Sequence, residues 1–178
     1  GALALHEDTL IFGTSEIGDS DETPGYLYAL DARPDAHMTL TEQADRPRFK
    51  WRFPVGGRIW GSPTIADGVA YFGAMDGFVY AVDLSRGISD GDGPGRELWR
   101  FNAGGAIAAQ PVIVGSRLFI GDFEGNFYAL DIDARREYQT GSTLDLEREW
   151  VFESDSWFWA PALIDGDVVY ASTLGGNV

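Results

Sequence analysis

The chain has 178 residues, 44% apolar and 13% aromatic, with 23 glycines, 8 prolines, no cysteine and a formal charge of −15. Such a composition supports a packed core in one or two domains, excludes disordered, collagenous and disulfide-stapled classes, and leaves no thiolate nucleophile or cysteine-based zinc site. No apolar run reaches the roughly 18 residues of a membrane-spanning helix, and 28 acidic against 13 basic residues disfavour nucleic acid and anionic lipid as partners.

Taken in chain order, the opening Gly1-Ala-Leu-Ala-Leu-His6 lacks the charged and apolar regions of a signal peptide. Tyr28-Ala29-Leu30-Asp31 follows, and then the alternating Lys50-Trp51-Arg52-Phe53. Next come Pro63, Tyr71-Phe72-Gly73, Tyr80-Ala81-Val82-Asp83 and Leu98-Trp99-Arg100-Phe101. The series returns as Pro111, Phe119-Ile120-Gly121, Tyr128-Ala129-Leu130-Asp131 and Glu149-Trp150-Val151-Phe152, and begins again with Pro161 and Val169-Tyr170-Ala171. The tryptophans of this series lie 48 and 51 residues apart. A period near 50 is the mark of a repeated supersecondary unit.

Within the second copy, four β-type segments are expected at about 62–66, 69–74, 78–84 and 97–101, rich in Val, Ile, Tyr, Phe and Trp and separated by turn residues. The Asp-Gly pairs at 67–68 and 76–77 favour tight hairpins, so the four strands form an antiparallel meander. No segment has helical periodicity; 134–149 comes nearest, and Thr140, Gly141 and Thr143 argue against a long helix there. Val69-Ala70-Tyr71-Phe72 and Phe78-Val79-Tyr80-Ala81-Val82 are apolar on both faces, so both faces of each sheet are covered. Charge alternates with aromatic side chains in the fourth segment, as on an outer edge strand, and the proline marks the first segment as the opposite edge. Sheets stacked face to face, with one edge inward and one outward, are the blades of a β-propeller.

The pattern Trp51-x-Phe53, Gly61-Ser62-Pro63-Thr64-Ile65, Gly68-x-x-Tyr71-Phe72-Gly73-x-x-Asp76-Gly77-x-x-Tyr80-Ala81-x-Asp83-x-x-x-Gly87 resembles the repeat of quinoprotein-type (PQQ-like) β-propellers. That family includes quinone-dependent alcohol and sugar dehydrogenases, a propeller lipoprotein that assists outer-membrane protein assembly, and propeller modules fused to other domains. The resemblance implies an all-β propeller of four-stranded blades, about 1–54, 55–102, 103–153 and an incomplete 154–178, with Trp51, Trp99 and Trp150 wedged between blades. Its docking motif is kept as Ala81-x-Asp83-x-x-x-Gly87, but Ile88 to Glu97 postpone Trp99. About 3.6 blades make an open arc, which implies part of a six- to eight-bladed ring, completed by further blades or by another chain.

Candidate chemistry is sparse. His6 and His37 have no metal-ligand or triad spacing, and no Gly-x-Ser-x-Gly elbow exists. Asp31, Asp83 and Asp131 end the third strand of each blade, where a carboxylate accepts backbone N–H groups; Asp67, Asp76, Glu124, Asp165 and Asp167 are expected as solvated turn residues. Asp19-Ser-Asp21-Glu22 and Asp90-Gly-Asp92-Gly93 present oxygen ligands of the kind calcium takes, without completing a calcium loop. The pairs Gly56-Gly57 and Gly104-Gly105 read as crossing turns between blades, since neither leads from a strand to a helix as a phosphate site does. These crossings bring Arg58, Trp60, Ile107, Gln110, Trp157 and Trp159 toward the rim of the central channel. Arg58, Trp60, Gln110, Trp157 and Trp159 are the candidate partner-binding residues, because tryptophan and arginine dominate binding hot spots. The expected function is a non-catalytic propeller module that binds a protein or peptide in the periplasm or outside the cell. The alternatives are a segment of a quinone-dependent dehydrogenase, for which the resemblance implies PQQ and calcium on the axis, and a sensor module fused to a signalling domain.

Overall fold

The computed structural model describes residues 3–15, 25–33, 49–84, 96–133 and 148–176, and all regular secondary structure in them is β. Strands β1 (Ala4–His6), β2 (Thr9–Ser15), β3 (Gly25–Asp31) and β4 (Phe49–Val55) form one sheet. A second contains β5 (Thr64–Ala66), β6 (Val69–Gly73), β7 (Phe78–Asp83) and β8 (Arg96–Asn102). The third contains β9 (Val112–Val114), β10 (Arg117–Gly121), β11 (Asn126–Asp131) and β12 (Arg148–Glu153), and β13 (Leu163–Asp165) pairs with β14 (Val168–Tyr170). Every pairing is antiparallel and between consecutive strands. β5 lies beside both β1 and β9, so the first strands gather around one axis and the fourth strands lie outermost. The molecule is an arc of a β-propeller: three four-stranded blades, then a two-stranded fourth sheet.

Local chemistry explains the hairpins and the outer strands. Asp67 and Gly68 take φ of 49° and 75°, the pair of positive values that a two-residue type I′ turn requires. In each complete blade the motif tryptophan stands opposite the alanine of Tyr-Ala-x-Asp: Trp51 opposite Ala29, Trp99 opposite Ala81 and Trp150 opposite Ala129. The small alanine leaves room for the indole on the shared face, and the register slips by one residue just after it in all three blades. The 148–149 end of the expected irregular segment begins β12; the rest of it lies outside the described residues.

Alternation within strands builds the interfaces. Ala70 and Phe72 of β6, with Tyr80 and Val82 of β7, pack on Ile11, Leu27, Ala29, Trp51, Phe53 and Val55 of the first blade. Their neighbours Tyr71, Val79 and Ala81, with Trp99 and Phe101, point the other way, onto Leu118, Ile120, Tyr128 and Leu130. Phe119, Phe127 and Ala129 then meet Phe158, Ile164 and Val169. Two departures from expectation follow from packing. The first strands begin one residue after Pro63, and Pro63 and Pro111 are buried beside the sheet, outside its ladder. Trp51 and Trp99 are each 2% exposed, whereas Trp150 is 39% exposed, because the two-stranded sheet covers only part of the third blade's face.

Candidate functional site

Antiparallel order sorts the connections into two ends of the arc. The crossings β4–β5, β8–β9 and β12–β13 and the hairpins β6–β7 and β10–β11 open at one end, here the crossing end; β1–β2, β5–β6, β9–β10 and β13–β14 turn at the other. Within each crossing one residue plugs the blade behind it. Ile59, Ile107 and Phe158 donate their backbone N–H to the carbonyls of Thr14, Ala74 and Asp122, and a Cβ on Gly13, Gly73 or Gly121 would overlap the same three side chains. The three plugs are therefore equivalent, and so are the residues that follow them: Trp60, Ala108 and Trp159.

That equivalence explains an aromatic cluster at the crossing end. Trp60 and Trp159 belong to crossings two blades apart, with the small Ala108 between them, and their rings meet at 5.7 Å and 50°. Phe123, in the β10–β11 turn, stacks on Trp157 at 5.0 Å and on Trp159 at 5.1 Å, both with 13° between planes. Trp60, Trp157 and Trp159 remain 39%, 50% and 45% exposed. An exposed four-ring cluster anchored from one turn and two crossings is a surface suited to a partner's apolar or cationic side chains.

The remaining candidates are placed differently. Gln110 is half-buried; its Nε2 donates to Thr64 Oγ1 at 3.2 Å while that hydroxyl donates to the Pro111 carbonyl at 2.6 Å, so it ties two blades together. Arg58 is half-buried, and its Nε is enclosed with no hydrogen-bond partner among the described residues. Ile107, expected at the channel rim, is fully buried between the second and third blades as a plug. The glycine pairs do form the crossings, with Gly57 packed against the Asp76 backbone.

Asp76 corrects the expectation of a solvated turn carboxylate. Its Oδ2 accepts the Gly56 N–H at 2.8 Å and the Tyr80 hydroxyl at 2.6 Å, and Oδ1 accepts the Phe78 N–H at 3.2 Å. The third blade does the same with Asp122, which sequence reasoning missed because it aligns with Ala74. Asp122 is fully buried; it accepts the N–H groups of Glu124 and Asn126 at 2.9 and 2.8 Å and stands 3.1 Å from the Tyr128 hydroxyl, whose proton it shares with the Ala103 carbonyl at 2.8 Å. Burial first, and then the adjacent carboxylate, push both tyrosine hydroxyls above their usual range of ionisation. Phe123 was missed too, and the same signal could have found both: Asp122-Phe123-Glu124 stands where the second copy has Ala74-Met75-Asp76.

At the opposite end, Asp31 accepts the Arg33 N–H at 3.0 Å and pairs with its guanidinium, which holds the carboxyl down at about 2, and Asp131 accepts the Asp133 N–H at 2.9 Å. A concavity of about 380 Å³ opens there between the second and third blades, lined by Tyr71, Leu98, Trp99 and Ile132 and by Asp67, Asp83 and Asp133. Among the described residues no group of three or more His, Asp and Glu is arranged to hold a metal ion. Asp19, Asp21, Glu22, Asp90, Asp92, His37 and Gly87 lie outside the described residues.

No protein-family model matches the chain, and no curated protein matches it. Solved structures do. The crystal structure of BamB from Moraxella catarrhalis superposes with a TM-score of 0.52 at 16% identity over 87% of this chain, which spans 35% of BamB's length. The computationally designed Ika4 protein superposes with a TM-score of 0.60 at 13% identity, over 98% of this chain and 85% of that one. At these identities the likeness is one of fold, and with the blade order and axis described above it places the chain among β-propellers.

Proposed function

We propose that the chain is part of a non-catalytic propeller module whose crossing end docks a protein or peptide. The observation that carries this reading is the cluster of Trp60, Phe123, Trp157 and Trp159, in which three tryptophans keep two-fifths to one-half of their surface in water. Large aromatic side chains are normally buried, and in clusters at a rim they serve as contact anchors. The repeat is read as PQQ-like, on the strength of the recurring Trp–Ala pairing and the plug–glycine contact, each of which gives a motif position a packing role. An extracytoplasmic setting is inferred from the same resemblance. Among the described residues no helix is long and apolar enough to cross a membrane.

A photo-crosslinking amino acid placed at the exposed Glu153, beside the cluster at the crossing end, with a second variant at Asp167 on the opposite end, tests the docking surface in the native host. Adducts with a discrete protein are expected from position 153, reduced about tenfold when Trp159 is replaced by Ala, and absent from position 167. Equal labelling from the two ends would remove the proposal.

A further inference from the structure

We propose that the aromatic cluster at the crossing end recognises arginine: guanidinium groups of the partner lie on the exposed indoles of Trp157 and Trp159 and pair with Glu124 or Asp155. This rests on the docking reading above and gives the partner a chemistry. Three observations carry it.

The first is ring geometry. Trp157 stacks on Phe123 and is still half exposed, and Trp159, on the same phenylalanine, is 45% exposed. An indole face is the strongest aromatic attractor of cations, and a planar guanidinium can lie parallel to it. The second is charge sorting. At the crossing end, Glu124, Glu153 and Asp155 are exposed, Glu124 adjoining Phe123 and Asp155 two residues before Trp157 in the chain. Among the described residues Arg58 is half-buried at that end, and Arg52 and Arg100 reach toward it from the outer strands of the first two blades with their guanidinium groups held over Tyr26 and over Phe78 and Tyr80; Arg33, Lys50, Arg117 and Arg148 lie at strand ends on the opposite side. An apolar partner would strip water from these carboxylates without replacing it, whereas a guanidinium can stack and bond a carboxylate at once. The third is internal precedent. This chain places arginine over aromatic rings elsewhere, Arg52 over Tyr26 at 4.4 Å and Arg100 over Tyr80 at 5.7 Å.

The test titrates the full chain with three synthetic peptides of identical glycine-spaced sequence carrying two arginines, two lysines or two citrullines, read by tryptophan fluorescence and calorimetry. The arginine peptide is expected to bind, and the citrulline peptide, of the same shape without charge, about tenfold more weakly or not at all. Trp157→Ala and Trp159→Ala should each weaken the arginine peptide about tenfold. Glu124→Gln and Asp155→Asn, which keep the rings intact, should weaken it by about threefold and flatten its salt dependence. Asp167→Asn should change nothing. Equal binding of the arginine and citrulline peptides, no binding of the arginine peptide, or full binding by tryptophan variants whose circular dichroism is native would overturn the proposal. Crosslinks from position 153 together with any of these results would remove the arginine specificity and leave the docking surface standing. Loss of those crosslinks would remove both.

Discussion

Tyr80 and Tyr128 occupy the same place in consecutive blades, yet their carboxylates come from different turn positions, Asp76 at the third residue after the strand and Asp122 at the first. What the fold holds fixed is a hydroxyl donating to a carboxylate beneath a crossing, where three or four donors converge on one side chain. That is why Asp76 cannot be read from the sequence as anything but a turn residue, and why Asp122 is invisible against Ala74: one-dimensional alignment matches positions, and the constraint is on where the oxygen ends up. Tyr80→Phe and Tyr128→Phe should each cost about 1 kcal/mol, with a further loss if the carboxylate is left short of a donor. Because folding raises both hydroxyl pKa values above the free value of about 10, their contribution is complete below that pH and is lost as the pH rises beyond it. Spectrophotometric titration of the folded chain should therefore show late-ionising tyrosines that disappear one at a time in the two Phe variants, and denaturant midpoints should fall less steeply with alkalinity in those variants. Ionisation of Tyr80 and Tyr128 in the ordinary tyrosine range would contradict the buried geometry.

At the scale of the element, the strand-end glycine and the crossing plug make one joint. Gly73 ends β6 with no room for a side chain, because Ile107 of the next crossing fills the space a Cβ would need. The same contact recurs at Gly13, two residues before the end of β2, with Ile59, and at Gly121, the last residue of β10, with Phe158. The glycines were legible as recurring motif positions, but their partners were not: Ile107 looked like a rim residue because the hydrophobic pattern of a crossing has no strand period to say which side chain turns inward. The Trp–Ala pairing was half legible, since both residues recur in sequence while the register that sets them opposite each other belongs to the sheet. Gly73→Ala should destabilise by about 1–3 kcal/mol through overpacking. Ile107→Ala alone should cost about 2–5 kcal/mol as a cavity. In the double variant the two costs should fall short of their sum, since the smaller plug makes room for the added methyl, and denaturant unfolding of the four chains measures the coupling. Strict additivity would mean that the joint is not the contact described.

The whole molecule is an arc whose two end faces are the halves of an interface it builds internally. On the first blade Phe12 and Tyr28 stack at 5.7 Å and 12°, as Phe72 and Tyr80 do at 5.3 Å and 14° where the second blade meets the first. On the last complete blade Trp150 and Phe152 are 39% and 59% exposed, while their counterparts Trp99 and Phe101 are 2% and 6% exposed inside the arc. Leu163, Val168 and Tyr170 extend that open face at 67%, 49% and 45%. Blade count and the open arc were legible because a period near 50 survives in the sequence; which side chains the faces would bare follows only from the way β6 and β10 split their side chains between two neighbours. A head face and a tail face that match each other give a heterologous contact, which closes into a ring when the rotation allows and otherwise propagates. We therefore expect this 178-residue chain to self-associate with rising concentration in light scattering. Phe152→Asp with Leu163→Asp should shift it toward single chains by placing charge on the tail face, and Phe12→Asp should do the same from the head face. A wild-type chain that stays single across the concentration series would show that these faces are satisfied within the arc, and the ring-completing contact would have to be abandoned.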